Sequence, residues 1–280
     1  MDFPTETTPP VSGDDTTGLV PPPRRPGVWS GLGSVALYFL LQFGLSILIG
    51  LLIGVALGVA AGFKAATRHA PFDPHAVVQS MQQNPDVRVI LAVLTIAAAA
   101  AVMTALVRRT WPAQWSRGEL PGFGFTAPGS KLAYPAAVML GVVVLLAGGA
   151  LTQWLAGPHS VQQDVALMAG KVSLDMRILL ALLVVCVAPF VEELVFRGVL
   201  LSGLASRMPV GWAIVLSALI FGCVHLPDFG FAWYPVPALV LLGIASAWLR
   251  IRTRSLWPSI TLHATNNLVA SLAWFVVAHH

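Results

Sequence analysis

The sequence predicts an all-α membrane protein, a polytopic helical bundle of about seven transmembrane helices, with six to eight as the range. Of its 280 residues, 56% are hydrophobic and only 10% are charged, and the apolar residues stand in long blocks. A soluble domain carries about 25% charged residues. So few charges could not cover a soluble globule of this size, and long blocks without period-two alternation exclude an outer-membrane barrel.

The first 30 residues predict a disordered, proline-rich tail. Seven prolines lie among residues 4–26, interleaved with Thr, Gly and Asp, a composition that favours a solvated leader. The stretch lacks the basic and then apolar pattern of a signal peptide. We divide the remainder into two units: residues 31–130, with two transmembrane helices and a linker, and residues 131–280, which form the core.

Seven apolar blocks follow the tail, each long enough or nearly so to cross about 30 Å of hydrocarbon. The sixth block is short, and the first is long enough to contain a break. The blocks lie near residues 32–63, 87–107, 132–156, 176–203, 210–226, 235–250 and 257–278.

The basic residues predict a multi-pass protein of the cell membrane with a cytoplasmic N-terminus. With that orientation, the inner connecting segments hold twice as many Lys and Arg residues as the outer segments, as the positive-inside rule requires. No basic patch is interleaved with aromatic residues, so no nucleic-acid partner is expected. Cys186 and Cys223 lie inside apolar blocks, which favours small buried hydrophobic residues over a disulfide or metal pair.

A glycine face lies in the first block, where Gly50, Gly54, Gly58 and Gly62 recur every fourth residue. Such a face lets another helix backbone approach closely. Packing within this chain is the favoured interpretation, and a homodimer through the same face is the alternative.

Glu192 and Glu193 are the only acidic residues deep inside an apolar block, and Arg197 follows one turn later. An ionisable group at membrane depth costs at least about 2.5 kcal/mol on insertion scales. Glu193 and Arg197 have the spacing and order of a helical ion pair. Glu192 points about 100° away from Glu193 and is free to face elsewhere. The alternative is that all three form a buried network that only fixes helix packing.

The fourth and fifth blocks form an antiparallel hairpin that turns near Met208–Pro209. Glu192 and His225 lie equally far from that turn along the chain. We therefore expect them at matching depth, although a lone histidine can also be an ordinary core residue.

His263 and Asn267, four residues apart in the last block, share one helix face. Small residues on the preceding block, Gly243, Ala245 and Ser246, predict room for a cavity opposite His263. His263 lies closer to its own turn than His225 does. The polar groups therefore meet only if a helix tilts or starts at a different height.

Three motifs stand in order within these blocks: EExxxR from Glu192 to Arg197, FxxxH from Phe221 to His225, and HxxxN from His263 to Asn267. Together they resemble the CPBP family of intramembrane proteases, which includes Rce1-type CAAX-processing proteases, bacteriocin-immunity proteins and Abi proteins. The resemblance covers about residues 130–275.

The resemblance implies an intramembrane endopeptidase that cleaves membrane-associated substrates, either prenylated CAAX-type or otherwise lipid-embedded. It implies that Glu192 and His225 activate water and that His263 and Asn267 hold the oxyanion. Glu193 and Arg197 match supporting positions, and Phe221 is expected to pack behind His225. The expected partners are membrane lipid and a membrane-embedded or lipid-modified peptide.

No cofactor is expected, since the family is regarded as metal-independent and glutamate-type. Zinc is the alternative, because carboxylates and imidazoles are acceptable ligands, although the chain has no HExxH motif. Two other classes remain open. One is a proton-coupled transporter that uses the same polar cluster, although no inverted repeat is evident. The other is a non-catalytic membrane scaffold or immunity protein.

Overall fold

The computed structural model describes residues 23–158 and 162–276, and within them nine helices and two short 3₁₀ turns account for the regular structure. Most of the predicted tail, residues 1–22, lies outside this part of the chain. The helices are α1 (Val28–Thr67), α2 (Pro74–Gln83), α3 (Pro85–Thr110), α4 (Ala133–Ala156), α5 (Asp164–Ala169), α6 (Leu174–Ala205), α7 (Val210–Val224), α8 (Val236–Thr253) and α9 (Trp257–Val276).

Each of the seven predicted blocks coincides with one helix, so the all-α polytopic bundle is confirmed. Five helices (α1, α3, α4, α6 and α8) are long and apolar enough to cross a membrane by length and composition. Helix α7 is shorter, and polar residues interrupt α9. Helix α1 is continuous over 40 residues, without the break that its length allowed.

Two short helices, α2 and α5, were not predicted, because segments of 10 and 6 residues carry too little apolar periodicity to stand out. Local capping nevertheless explains α2. The Asp73 carboxylate accepts hydrogen bonds from the backbone N–H groups of His75 and Ala76, and Pro74 occupies the first helical position, where its missing N–H is tolerated.

The glycine face of α1 is half covered by the chain itself. A Cβ at Gly54 would lie 3.8 Å from the Met81 sulfur, and one at Gly62 would lie 3.8 Å from the Phe72 ring. Gly50 and Gly58 have no such neighbour within 4 Å among the described residues. The segment around α2 therefore uses part of this face, and a homodimer through it stays a prediction.

The cavity that contains His263 is not lined by Gly243, Ala245 or Ser246 of α8, so that expectation is wrong. A Cβ at Gly243 would lie 2.8 Å from the Cβ of Ala218 on α7, and the Ser246 carbonyl accepts a hydrogen bond from the Ser259 hydroxyl on α9 at 2.9 Å. Small side chains here bring helix backbones together.

The cysteines are exposed rather than buried, which corrects a second expectation. In a membrane bundle an apolar residue can face the acyl chains as readily as the core. Apolar character therefore does not decide which side of a helix a residue occupies.

Arg250 ties α8 to the loop between α3 and α4. Its guanidinium donates to the carbonyls of Phe123, Gly118 and Gly122 at 3.1, 2.8 and 2.6 Å, and the residue is only 1% exposed. Gly124, with φ +80°, permits this approach, because a Cβ there would lie 2.6 Å from the guanidinium carbon.

We expect Arg250→Ala to lower the free energy of unfolding by at least about 1.5–3 kcal/mol, the range for one hydrogen bond to a charged group. Arg250→Lys keeps the charge without the planar fork and should give an intermediate loss. Denaturant titration in detergent micelles measures both. Equal stability of Arg250→Ala and the native chain would contradict this role.

Candidate active site

Helix α6 buries an ion pair at its centre. Arg197 Nη1 lies 3.2 Å from Glu193 Oε1, and both side chains are completely buried. The guanidinium carbon of Arg197 also lies 4.4 Å from the centre of the Phe221 ring on α7, a cation–π distance. The structure therefore contains the helical ion pair that the spacing of Glu193 and Arg197 predicts.

His263 on α9 bridges the two glutamates. Its Nδ1 lies 3.0 Å from Glu193 Oε1, and its Nε2 lies 3.8 Å from Glu192 Oε2. The imidazole is almost fully buried, whereas the Glu192 side chain is 14% exposed. Because Glu193 fixes one ring nitrogen, the other is held toward Glu192.

The net charge of the cluster formed by Glu192, Glu193, Arg197 and His263 depends on one proton. Two ionised glutamates and Arg197 leave one negative charge, so one further proton makes the cluster neutral. The two positions for that proton, His263 Nε2 and Glu192 Oε2, lie 3.8 Å apart.

His225 directly follows the last residue of α7, and its ring orientation is fixed by the backbone. Its Nδ1 lies 2.7 Å from the Phe221 carbonyl oxygen, so Nδ1 carries the hydrogen and the neutral ring keeps a lone pair on Nε2. The Phe221 ring packs against His225 at 4.7 Å between centroids and meets His263 edge-on at 5.7 Å. Phe221 thus contacts both imidazoles.

Asn267 donates to a backbone carbonyl that Pro189, a residue outside the three motifs, leaves without its helical partner. Just before the glutamate pair, α6 widens into a π-helical segment, Leu183–Val187, in which the Ala188 N–H donates to the Leu183 carbonyl. The next residue, Pro189, has no N–H to donate to the Val184 carbonyl. Asn267 Nδ2 supplies the missing donor at 2.8 Å. Interruptions of this kind often mark functional sites.

One cavity of about 910 Å³ brings five of the predicted side chains together, Phe221 and four polar residues. Glu192 from α6, His225 at the end of α7, and His263 and Asn267 from α9 all contribute to its wall. The predicted supporting residues Glu193 and Arg197 lie behind it, fully buried.

The same wall includes polar residues that sequence reasoning missed: Asp164, Asp228, Tyr234 and Asn266. Only Asn266 carried a signal, because it adjoins Asn267 inside an apolar block. Asp164 and Asp228 looked like ordinary loop acids.

Asp228 lies in the 3₁₀ turn Leu226–Phe229, between α7 and α8. Burial raises the pKa of its carboxyl, nearby Glu192 and Asp164 raise it further, and His225 opposes the rise. An acid in the cavity wall therefore shares the electrostatic environment of His225 and Glu192.

In the part of the chain that the structure describes, no group of three or more His, Cys, Asp or Glu side chains is arranged to hold a metal ion. Among the site residues, the imidazole of His263 and the carboxylate of Glu192 have the ligand chemistry that zinc prefers.

Five candidate spans and a buried cluster of acids and imidazoles are the features of a multi-pass membrane protein with a polar site between its helices. Residues 174–269 match the family model of the type II CAAX prenyl endopeptidase Rce1-like family. Over that segment the chain is similar to this family of membrane endopeptidases, and the resemblance to CPBP proteases is confirmed. The match spans α6, α7, α8 and most of α9, and leaves α1–α5 unmatched. No curated protein and no solved structure matches the chain.

Proposed function

We propose that this chain is a glutamic intramembrane endopeptidase that hydrolyses peptide bonds of membrane-associated substrates, prenylated CAAX-type or otherwise lipid-embedded. One observation carries the proposal: a carboxylate, two imidazoles and a carboxamide from three helices line a single cavity among apolar helices. Hydrolysis in a bilayer needs this combination of enclosed space, a base and hydrogen-bond donors.

The first step is the attack of water on the scissile carbonyl. Glu192 takes one proton of the water, and the lone pair on His225 Nε2 accepts a hydrogen bond from the same molecule and orients it. The water oxygen bonds to the carbonyl carbon, and the carbonyl π electrons move to its oxygen. A tetrahedral oxyanion results, and Glu192 is left protonated.

The second step needs donors directed at that oxyanion. Asn267 uses one N–H on the Val184 carbonyl and keeps its other N–H for the substrate. Protonated His263 donates from Nε2 while Glu193 holds Nδ1. The C–N bond then breaks, and Glu192 returns its proton to the leaving amine. The products are a carboxylic acid and an amine, and the site regains its starting protonation.

The number of predicted spans before each cavity segment supports a cavity that opens on the side of the membrane opposite the N-terminus. The cavity wall includes Pro158 and Asp164, which follow the third predicted span, and Asp228 and Tyr234, which follow the fifth. Both segments therefore come after an odd number of spans. With the proposed cytoplasmic N-terminus in the cell membrane, the substrate enters from the non-cytoplasmic side. Membrane lipid and the substrate are the proposed partners. A homodimer through the α1 glycine face is the proposed alternative to packing within the chain.

We expect Asn267→Ala to lower kcat by about 10²–10³-fold, the typical effect of removing one oxyanion donor. It should also lower stability, because the Val184 carbonyl loses its partner. Cleavage of a lipid-embedded peptide by the full chain in proteoliposomes measures the first effect, and thermal unfolding measures the second.

Pro189→Ala offers a matched control, because it returns an N–H to the Val184 carbonyl. The double variant Pro189→Ala/Asn267→Ala should recover stability while staying inactive. Recovery of cleavage in the double variant would show that Asn267 only positions α9 against α6.

A further inference from the structure

Gln42 is the only carboxamide in α1, a helix that lies outside the residues of the family match. No charged residue precedes Lys64 in this helix, and its apolar stretch is long enough to lie in hydrocarbon. A side-chain amide without a hydrogen-bond partner is costly in that environment, because no water replaces the missing bond. Gln42 therefore needs a hydrogen-bond partner within the bundle or in the cavity.

The Gln42 side chain is half-buried and contributes to the wall of the cavity that contains Glu192. Ser30 and Ser34, at multiples of four residues before it, donate their hydroxyls to backbone carbonyls. The Gln42 amide, in contrast, makes no hydrogen bond with any residue that the structure describes. Its one acceptor and two donor positions can therefore serve a molecule in the cavity.

The packing of α1 against α6 fixes the register between these two helices. A Cβ at Gly203 would lie 2.5 Å from the Gly27 carbonyl oxygen, and a Cβ at Gly31 would lie 3.2 Å from the Leu200 Cα atom. Residue numbers therefore rise along α1 as they fall along α6. The two helices run antiparallel and in close contact at this end.

This register sets the depth of Gln42 relative to Glu192. Gln42 lies 11 residues after Gly31, and the same count back from Leu200 reaches Pro189. Equal counts along two helices of similar rise reach similar heights. Pro189 precedes Glu192 by three residues, close to one helical turn of about 5.4 Å. Gln42 therefore lies about one turn along the cavity from the level of Glu192.

A peptide must be extended around the bond that is cut, because in a helix each carbonyl accepts a hydrogen bond from the N–H four residues later. Unwinding leaves peptide N–H and C=O groups without partners inside the bilayer. A carboxamide matches a peptide group, since it offers both donors and an acceptor. An extended chain advances about 3.3–3.6 Å per residue, so one helical turn corresponds to one or two residues of substrate.

We propose that Gln42 binds the backbone of the substrate, at the peptide group one or two residues from the scissile bond, and holds it extended past Glu192. The inference rests on the proposed function and names a substrate-binding residue that the three motifs do not contain. Gln42 Oε1 accepts a hydrogen bond from a substrate N–H, and Nε2 donates to a substrate carbonyl. A prenylated peptide and a transmembrane peptide have the same backbone, so the contact serves both.

The test uses the full chain in proteoliposomes and two probes, a farnesylated CAAX peptide and a single-span transmembrane peptide. Each cleaved probe is then made as a series in which one peptide nitrogen at a time is N-methylated, within three residues of the mapped cleavage site but not at the scissile bond. N-methylation removes one backbone donor. We expect one position to lower kcat/KM by about two- to tenfold, the effect of one hydrogen bond.

Gln42→Leu is the informative variant, because Leu is similar in size and suits a lipid-embedded helix, so α1 should keep its fold. It should lower kcat/KM for the unmethylated probe by about two- to tenfold and remove the cost of N-methylation at the sensitive position. Gln79→Leu is the matched control, because Gln79 is exposed on α2 and does not line the cavity. It should keep the native rate and the full N-methylation cost.

Cleavage at the native rate by Gln42→Leu, or an N-methylation cost that is unchanged in this variant, would overturn the backbone contact and leave the endopeptidase standing. Complete loss of cleavage in Gln42→Leu, or a lowered unfolding temperature, would assign the residue to helix packing and would overturn the contact too. Absence of cleavage of both probes by the native chain would reject the proposed function itself and the contact with it.

Discussion

Glu192→Gln is expected to lower kcat by about 10²–10⁴-fold, the range for removing a general base, while the chain keeps its fold. The amide has nearly the same shape as the carboxylate but cannot take a proton from water. Glu192 is 14% exposed toward the cavity and lies 3.8 Å from His263, so the substitution removes no tight structural contact. Peptide cleavage in proteoliposomes and thermal unfolding, measured on the same preparation, check both halves of the expectation.

The matched control is Glu119→Gln, because Glu119 is 70% exposed, pairs with Arg254 and does not line the cavity. It should cleave at the native rate. Undiminished cleavage by Glu192→Gln would reject the mechanism.

A chelator series on the native chain tests the zinc alternative. Loss of cleavage that returns when metal is added would replace the glutamate-only chemistry. Proton flux without any cleavage would favour the transporter.

Arg197→Met is expected to lower the free energy of unfolding by about 3–5 kcal/mol, the effect of leaving one partner of a buried ion pair alone. Glu193 is fully buried and its carboxylate pairs with Arg197 at 3.2 Å. Without the guanidinium, the remaining contact to His263 must hold a buried negative charge. The same substitution also removes the cation that lies over the Phe221 ring. Denaturant unfolding in detergent micelles measures the loss.

The double variant Glu193→Gln/Arg197→Met separates the cost of an unpaired Glu193 charge from the loss of packing by the Arg197 side chain. It leaves no uncompensated charge, so most of the stability should return. Arg252→Met, at an exposed position in the last turn of α8, should change stability by no more than about 0.5 kcal/mol. If the double variant is as unstable as Arg197→Met, the loss comes from the volume and packing of the guanidinium.

Much of the helical framework followed from the sequence, because a lipid-embedded helix must be continuously apolar and that pattern is local. The long helices α1, α3, α4 and α6 coincide with predicted blocks. The Glu193–Arg197 pair followed from helical spacing. The hairpin count predicted matching depth for Glu192 and His225, and the structure places both in the wall of one cavity. The same local rules do not show which side of a helix packs. For this reason the Gly243 region was assigned to a cavity and the cysteines to the core, and both expectations were wrong.

The sequence by itself determined that this chain forms apolar spanning helices and that three of them carry polar groups that need a common enclosure. Only the tertiary structure decided how those groups divide their contacts: His263 lies between two glutamates, Asn267 binds the carbonyl that Pro189 leaves free, and Asp228 lies in the same cavity wall. The physical reason is the separation along the chain between the residues that interact. Helix formation and spacing depend on residues within a few positions, whereas these contacts join α6, α7 and α9 across many residues. Their geometry depends on helix heights and tilts that no local pattern encodes.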